Sequence, residues 1–312
     1  MDAVVVEDLH KNYRATRALG GVSLSVTEGS IGAVLGPNGA GKTTMVEILE
    51  GHRQRTSGRV SVLGLDPGNR KDFAVLRTHL GVVFQATMLE PGVSALDLVH
   101  RQATYYRDPL DVDEVLAAVG LTEKRRALVR TLSGGTRRRL DIALALVGRP
   151  RILFLDEPTT GLDPVSRRSA RELIRKVNGQ GTTVLLTSHD LEEVESLADD
   201  VVVLAGGQVL TSGTTREIVA ASAAGTVVEL TLPDGVGAGD LPSGLPSGLT
   251  VDDGRVRVVT ADPDAVTTIL HTWADARGVA LEGLAIVPPR LEDAYLSLLD
   301  GTSTGTTNDS ED

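Results

Sequence analysis

The sequence predicts an α/β protein in which helices cover a parallel sheet, followed by a smaller α/β domain. Aromatic residues make up only 3% of the chain and apolar residues 41%, so the core must consist mainly of Val, Leu, Ile and Ala, as in buried parallel strands. A strand also runs directly into a glycine-rich turn and a helix near residue 40. A change of composition after Gly213 marks the start of the smaller domain.

Composition and charge exclude several functions. Acidic residues outnumber basic ones 42 to 31, and the formal net charge of -11 opposes attraction to nucleic-acid phosphates. The chain has no cysteine, which excludes disulfides, thiolate zinc sites and cysteine nucleophiles. No run approaches the roughly 20 apolar residues that cross a bilayer, and no basic leader precedes an apolar run at the N-terminus. We therefore expect a cytosolic protein whose main partner is not nucleic acid.

A phosphate-binding loop is predicted between a strand and a helix. Strands are expected at residues 4–6, 22–26 and 30–35, and helix-compatible residues follow the loop at 44–49. Glycines let successive backbone N–H groups curl around an anionic phosphate, and the helix dipole adds to the attraction. The residues of the predicted loop are Gly36, Pro37, Asn38, Gly39, Ala40, Gly41, Lys42 and Thr43, with Thr44 next in the helix.

Lys42 and Thr43 are the side chains that give this loop its chemistry. The ammonium group of a lysine at this position pairs with the β- and γ-phosphates of a nucleotide, and the following hydroxyl ligates Mg²⁺. The alternative is a glycine-rich turn followed by an ordinary surface lysine. The preceding strand and the following helix favour the phosphate-binding interpretation.

An acidic pair, Asp156 and Glu157, ends the apolar strand that is predicted after Arg151. Parallel sheets bind ligands at the carboxyl ends of their strands, so Asp156 can approach the Mg²⁺ held by Thr43. Glu157 would then lie beside the γ-phosphate, where it could orient and deprotonate the attacking water. Taken alone, such a pair is more often a strand end or a helix cap. Its combination with the loop at Lys42 favours a catalytic role.

A second helix N-terminus suited to an anion is predicted at Ser133. This capping serine and two glycines precede an amphipathic run that carries three arginines, residues 137–139. In isolation, a simple helix cap with a solvated arginine face is the favoured interpretation of this segment.

Together, these motifs resemble the ATP-binding cassette (ABC) family over about the first 220 residues. The family's order is matched by residues 36–43, Gln85, residues 132–136, residues 151–157, residues 161–164 and His189. The resemblance implies a P-loop NTPase (RecA-like) core with antiparallel β and helical subdomains. It also implies an ATPase that uses ATP and Mg²⁺.

The resemblance assigns roles to the site residues. Tyr13 would stack on adenine, and Gln85 would link Mg²⁺ to the transporter interface. Glu157 would act as the base and His189 as the switch histidine, with Asp163 as the D-loop aspartate. The remaining assignments are Thr43, Gln85 and Asp156 as metal ligands, and Ser133, Gly134 and Gly135 as the signature that binds ATP. Alone, Tyr13 could be a packed loop aromatic, Gln85 a solvated side chain and His189 a residue before a helix.

In the family, two subunits bind two ATP molecules head to tail, so that the signature helix of one meets the γ-phosphate held by the other. The expected partners are a second ATPase subunit, taken as another copy of this chain although a heterodimer stays open, and a separately encoded membrane permease. The chain would then be peripheral, at the cytoplasmic face of the cell membrane. Thr136 stands where the family usually has glutamine. We expect it to alter affinity or coupling and expect a competent ATPase, which undetectable hydrolysis by a partnered complex would overturn.

The predicted organisation is a nucleotide-binding domain over residues 1–220, a small α/β domain over 221–300 and a disordered acidic tail over 301–312. The helical subdomain would span about 86–140, with helices at 94–106 and 112–119, and residues 86–105 would help form the groove for a permease's coupling helix. The Gly-, Pro- and Ser-rich stretch 233–249 is predicted to be a loop or linker. Strands at 226–232 and 255–260 and a helix capped by Asp262 would surround it.

The ending at residues 291–296, Leu-Glu-Asp-Ala-Tyr-Leu, resembles that of ATPases serving type-2 ABC exporters, the group that includes daunorubicin-resistance pumps. This implies outward transport of a drug, lipid or other amphipathic compound. An importer's ATPase shares every cassette motif and remains an alternative. A non-transport ABC ATPase acting on ribosomes or DNA usually carries a coiled-coil insertion or two fused cassettes, which this chain lacks. A pure nucleotide-binding regulator would be expected to lose Glu157 or Lys42, and both are present.

Overall fold

The computed structural model describes residues 1–14, 16–85, 88–222, 225–233, 235–252 and 254–303. The chain divides into two compact units, Met1–Thr215 and Arg216–Asp312. In chain order, the elements of the first unit are β1 (Asp2–Tyr13), β2 (Thr16–Thr27), β3 (Ile31–Leu35), α1 (Lys42–Leu49), β4 (Ser57–Val62), α2 (Arg70–Leu76), β5 (Leu80–Val83), α3 (Ala95–Ala103), α4 (Val112–Ala118), α5 (Gly134–Leu146), β6 (Ile152–Asp156), α6 (Pro164–Asn178), β7 (Thr183–Ser188), α7 (Leu191–Leu197), β8 (Asp200–Ala205) and β9 (Gln208–Gly213). Helix α8 (Thr215–Ala221) begins at the division, and all but its first residue belong to the second unit.

A six-stranded sheet forms the centre of the first unit, in the order β5-β6-β7-β3-β8-β9. Its neighbouring strands are parallel except β9, which is antiparallel to β8. Every residue of β3, β6 and β7 is buried, which explains why these segments are continuous runs without polar alternation. Because β5, β6, β7 and β3 are parallel neighbours, the loops at their carboxyl ends lie along one edge of the sheet.

A three-stranded antiparallel sheet, in the order β2-β1-β4, contributes apolar side chains to the same core as α1. Its first two strands are much longer than the sequence predicts. The apolar run at residues 4–6 is followed by an irregularity, because the register of β1 shifts between Val6 and Leu9. Asp8, within this irregularity, has a positive φ of 48°. The strand continues beyond this irregularity, which a period-2 pattern does not reveal.

Side-chain caps define the helices that precede the signature. The hydroxyl of Ser94 accepts from Asp97 N at the start of α3, and the carboxylate of Asp111 accepts from Glu114 N at the start of α4. Both helices end before the predicted limits, α3 at Ala103 and α4 at Ala118. Ala86 and Thr87, the first residues of the predicted helical subdomain, lie outside the described residues.

The second unit is a four-stranded antiparallel sheet with helices. Its further elements are β10 (Thr226–Thr231), β11 (Leu249–Asp252), β12 (Arg255–Thr260), α9 (Pro263–Arg277), β13 (Glu282–Val287) and α10 (Leu291–Ser303). The strand order is β11-β12-β10-β13, and Val266 and Leu270 of α9 pack against buried residues of β10 and β12. As predicted, the carboxylate of Asp262 caps α9, by accepting from Ala265 N.

The described part of the stretch 233–249 is a loop of this unit that contains a 3₁₀ turn at Ala238–Asp240 and ends where β11 begins at Leu249. Leu241 and Leu245, the leucines of its near repeat, pack against the unit's core. The indole Nε1 of Trp273 donates to Asp240 O at 2.8 Å, which fixes the loop to α9. The described part of this stretch is therefore an ordered element of the second unit.

No helix within the described ranges combines the length and the apolar character needed to cross a membrane. At the C-terminus, α10 continues to Ser303, so the first three residues of the predicted disordered tail are helical. Its remainder, residues 304–312, lies outside the described residues.

Candidate functional site

The predicted phosphate-binding loop joins β3 to α1. Gly39 and Gly41 have positive φ angles of 83° and 104°, which favour glycine because other residues rarely adopt them. Lys42 is 5% exposed, and its Nζ donates to Gly36 O (2.7 Å) and Pro37 O (3.2 Å). Burial lowers the pKa of Lys42, while the nearby Glu157 and Asp156 carboxylates oppose that shift. An open cavity of about 360 Å³ lies over the loop, lined by Ala18, Asn38, Gly39, Ala40, Gly41, Lys42, Thr43, Thr44, Gln85 and Glu157.

Gly36 permits a close approach between the loop and β8. A Cβ at this position would lie 2.2 Å from the backbone oxygen of Leu204, which cannot move aside as a side chain can. We expect Gly36→Ala to lower the free energy of unfolding by about 1–3 kcal/mol, the usual range for overpacking. Urea denaturation measures the change. Gly92→Ala is the control, because a Cβ there meets no atom within 4 Å; equal stability of the two variants would contradict the prediction.

Asp156 ends β6 beside the start of α1. Its Oδ2 accepts a hydrogen bond from the Thr43 hydroxyl at 3.3 Å, and its Oδ1 accepts one from the Thr187 hydroxyl. The two predicted metal ligands Thr43 and Asp156, 113 residues apart in the chain, are thus adjacent in space. Thr187 on β7 orients the carboxylate.

Glu157 is the centre of the site. It is 8% exposed, and its Oε1 lies 3.8 Å from Lys42 Nζ and 3.2 Å from His189 Nδ1. The Gln85 amide donates to its Oε2 at 2.9 Å, and the Thr160 hydroxyl donates to the same oxygen at 3.2 Å. The structure therefore brings all three predicted catalytic residues, Glu157, His189 and Gln85, into contact. Glu157 also has a positive φ of 46°, a conformation that needs support from its surroundings.

A further buried carboxyl, that of Glu50, lies at the end of α1. It is 3% exposed, and its Oε2 lies 3.3 Å from His52 Nδ1. Burial, followed by the charges of Asp156 and Glu47, raises the pKa of Glu50 from 4.5 to about 8. The folded protein therefore retains a proton on this group over a pH range in which the unfolded chain has released it.

This difference predicts a pH-dependent stability. Because the folded-state pKa of Glu50 is the higher one, its stabilising contribution is complete below about pH 4.5 and is lost as the pH rises to about 8. We expect Glu50→Gln, which cannot ionise, to gain stability over the wild type as the pH rises through this window, by on the order of a few kcal/mol at its upper end. Urea denaturation between pH 5 and 9 measures the difference. A difference independent of pH would contradict the prediction, and Glu123→Gln is an exposed control.

Tyr13 lies close to the phosphate-binding loop, at the end of β1. Its hydroxyl is 3.4 Å from the Thr44 hydroxyl. Lys11 Nζ and the Arg53 guanidinium lie 5.0 and 5.2 Å from the centre of its ring. The ring therefore lies in a cationic environment next to the helix that carries Lys42.

The signature residues and Asp163 occupy other helix N-termini. Ser133 caps α5, with its hydroxyl 2.8 Å from that of Thr136, and Asp163 caps α6 by accepting from Ser166 N at 3.0 Å. Hydrogen bonds from the hydroxyl and N–H of Ser166 lower the pKa of Asp163. Neither segment is among the described residues that line the cavity over Lys42. Within one chain, the structure does not bring them together with the phosphate-binding loop.

Three residues of this region were not predicted from the sequence: Thr160, Thr187 and Arg138. Thr187 holds Asp156 through its hydroxyl and accepts from Glu157 N at 3.1 Å. Arg138 on α5 donates to backbone carbonyls at the ends of β5 and β6. Thr187 lies in β7, two residues before His189, and its contacts, like those of Arg138, join segments that are distant in the chain.

Comparison with known proteins gives matches along most of the chain. The sequence profile described as ABC transporter matches residues 19–160, and that described as ABC transporter domain-containing protein-like, C-terminal domain, matches residues 226–289. The chain is 37% identical over 305 residues to the daunorubicin resistance ATP-binding protein DrrA3 of Streptomyces coeruleorubidus, covering 95% of each chain. It is 37% identical over 233 residues to the methionine import ATP-binding protein MetN of Cutibacterium acnes, covering 70% of this chain and 63% of that protein.

Among solved structures, the chain is similar to the ATP-binding cassette MJ0796 in a dimeric post-hydrolysis state bound to ADP and Pi. The TM-score is 0.61 and the identity 27%, and the alignment covers 68% of this chain and 98% of the other.

Proposed function

Because the chain belongs to the ATP-binding subunits of ABC transporters, we propose that it powers export of a drug, lipid or other amphipathic compound through a separate membrane permease. The matches confirm the predicted family, the P-loop NTPase fold and ATPase activity. Beyond these matches, we propose the roles of individual residues, the direction of transport and the identity of the partners.

The observation that supports the catalytic assignment is the convergence on Glu157 of Lys42, Gln85 and His189, which come from separate segments. In the proposed reaction, Glu157 orients the attacking water and accepts its proton, while His189 and Gln85 hold the Glu157 carboxylate in place. Lys42 provides positive charge for the β- and γ-phosphates of ATP, and Tyr13 provides a face for the adenine. Thr44 lies beside Tyr13 in the first turn of α1.

The donor set also fits Mg²⁺. Thr43 Oγ1 and Asp156 Oδ2 are adjacent, and Gln85 lines the same cavity as Thr43, so a hydroxyl, a carboxylate and an amide are available. Mg²⁺ prefers such oxygen ligands, together with substrate phosphates. When bound, Mg²⁺ would neutralise charge that develops on the phosphate groups during transfer.

We assign Ser133, Gly134, Gly135 and Asp163 to a composite site that needs a second subunit, proposed to be another copy of this chain. The helix N-terminus at Ser133 is suited to an anion, yet it lies outside the cavity over its own Lys42. In a head-to-tail dimer, the helix N-terminus at Ser133 would contact the γ-phosphate held by the other subunit. The dimeric structure of the related cassette MJ0796, bound to ADP and Pi, supports the assignment of a second subunit.

Export is favoured over import by the extent of the similarity. The alignment with the daunorubicin resistance protein covers 95% of both chains, which includes most of the second unit, whereas the alignment with the methionine import protein covers 70% of this chain. In this proposal the chain is peripheral to the cytoplasmic face of the cell membrane and is held there by the permease.

A pulldown from native membranes tests the proposal. Glu157→Gln, with MgATP present, should bind ATP but stall before hydrolysis and so preserve the complex. We expect two copies of the chain with a permease, while the double variant that also carries Lys42→Ala should release the dimer. A co-purifying solute-binding protein would establish the importer alternative. Ribosomal or DNA-associated proteins without a membrane subunit would overturn the transport proposal and leave the ATPase assignment intact.

A further inference from the structure

The guanidinium group of Arg138 connects three backbone carbonyls near the catalytic site. This residue lies in the second turn of α5, the helix that begins after Ser133, and is 7% exposed. Its Nη1 donates to Phe84 O (2.7 Å), its Nε to Pro158 O (2.8 Å) and its Nη2 to Asp156 O (3.1 Å). The contacts therefore join the signature helix to the ends of β5 and β6.

These carbonyls belong to the residues that adjoin the catalytic side chains. Asp156 and Pro158 flank Glu157, so Arg138 holds the backbone on both sides of the proposed base. Phe84 directly precedes Gln85, whose amide donates to Glu157 Oε2. A single guanidinium thus restrains both partners of the Gln85–Glu157 hydrogen bond.

The backbone of Glu157 requires such restraint. Its φ of 46° lies in a region that residues other than glycine rarely adopt and that persists only when neighbouring contacts enforce it. On one side, Glu157 N donates to the carbonyl and the hydroxyl oxygen of Thr187, both at 3.1 Å. On the other side, Glu157 O accepts from Thr160 N at 3.3 Å, and Arg138 holds the carbonyls of the two flanking residues, Asp156 and Pro158.

Among the three arginines at residues 137–139, it is the central one, Arg138, that donates to the carbonyls beside Glu157 and Gln85. Arg137 Nε donates to Val129 O at 3.3 Å, and Arg139 Nη2 donates to the Ser169 hydroxyl at 2.7 Å, both away from the catalytic edge. Arg138 also forms an ion pair with Asp141 one turn further along α5, with Nη1 4.0 Å from Oδ2. Burial lowers the pKa of Arg138, while the charges of Asp141, Glu193 and Asp156 oppose that shift. The hydrogen bonds from its guanidinium group to the three carbonyls satisfy polar groups that are buried with it.

We propose that Arg138 is a positioning residue for ATP hydrolysis, which holds Glu157 and Gln85 in their reactive geometry and ties them to the signature helix of the same subunit. The proposal rests on the role assigned to Glu157 above. It implies that a shift in the position of α5 changes the alignment of Glu157 in the same subunit. Binding of the second subunit's nucleotide at Ser133 would cause such a shift.

Arg138→Lys in the full chain is the test. An ammonium group donates from a single point and cannot span the carbonyls that the planar guanidinium reaches in fixed directions. We expect kcat for MgATP hydrolysis to fall at least tenfold, while the Kd for MgATP stays within twofold and the Tm within a few degrees of the wild type. Arg139→Lys is the matched control on the same helix and should retain kcat within twofold.

Two results with a folded variant would overturn the proposal: an unchanged kcat, or a loss of kcat matched by an equal loss of MgATP affinity. If Arg138→Lys does not fold, the same measurements on Arg138→Gln, which removes the buried charge and keeps an amide donor, decide between the outcomes. Glu157→Gln is assayed in parallel. If it is inactive while Arg138→Lys retains wild-type kcat, only this inference fails; if Glu157→Gln is itself fully active, the catalytic assignment fails.

Discussion

Replacement of Glu157 by glutamine is expected to lower kcat for ATP hydrolysis by about 10²–10⁴-fold, the range associated with loss of a general base. An amide cannot accept the proton of the attacking water at neutral pH. The substitution preserves the size of the side chain, and its oxygen can still accept from Gln85 or Thr160. The Kd for MgATP should therefore change much less than kcat. Phosphate release at saturating MgATP, compared with equilibrium binding of the nucleotide, measures the two effects separately.

Two other variants separate loss of the base from loss of an exposed carboxylate and from loss of a contact to Glu157. Glu172→Gln removes a carboxylate from an exposed position on α6, where it pairs with Arg168, and should leave kcat within twofold. His189→Ala removes a contact to Glu157 Oε1 without removing the base, so we expect a smaller loss than for Glu157→Gln. A Glu157→Gln protein that hydrolyses ATP within twofold of the wild-type rate would refute the assignment of the base.

Replacement of Lys42 by alanine is expected to act earlier, on nucleotide binding. Hydrogen bonds between charged groups contribute about 1.5–3 kcal/mol each, so loss of the Lys42 contacts to phosphate should raise the Kd for MgATP roughly 100-fold or more. The variant also leaves Glu157 and Asp156 without their buried cation, which increases repulsion toward the incoming phosphates. Equilibrium titration with MgATP measures the change.

Two further lysine variants make the comparison specific. Lys71→Ala removes an exposed lysine of α2 and should bind MgATP as the wild type does. Lys42→Arg retains the charge but places a larger planar group in a buried position, so binding should remain impaired. If Lys42→Ala binds MgATP within threefold of wild-type affinity, the loop is not the phosphate site.

Local sequence patterns predicted the parts of the site that depend on a few consecutive residues. Gly39 and Gly41, with their positive φ angles, and the capping residues Ser133 and Asp262 act through their own neighbourhood, so their spacing alone indicates a loop or a helix start. The same holds for the buried run that ends in Asp156, because continuous burial on both faces leaves a continuous apolar sequence. Gly36 differs, because the need for glycine there comes from Leu204 O on β8.

Interactions between distant segments were not predictable in this way. The triple contact of Arg138 depends on a side chain that meets residues 18, 20 and 54 positions away, and its sequence context resembles any basic helix face. The positive φ of Glu157 leaves no trace in composition, since it is imposed by hydrogen bonds from other elements. Likewise, Leu241 and Leu245 lie in a stretch typical of a flexible loop, and only the packed structure shows that they belong to a core.

The order β5-β6-β7-β3 in the central sheet also has a consequence for folding. Gln85, Glu157, His189 and Lys42 each follow one of these neighbouring strands, which are spaced about 4.8 Å apart. When strands so distant in the chain pair, closing the long loops between them lowers the conformational entropy of the chain. Such sheets are therefore slow to form. ATP binding should therefore be acquired only late in refolding, when the last of these strands has joined the sheet, and a nucleotide analogue added during refolding would report that event.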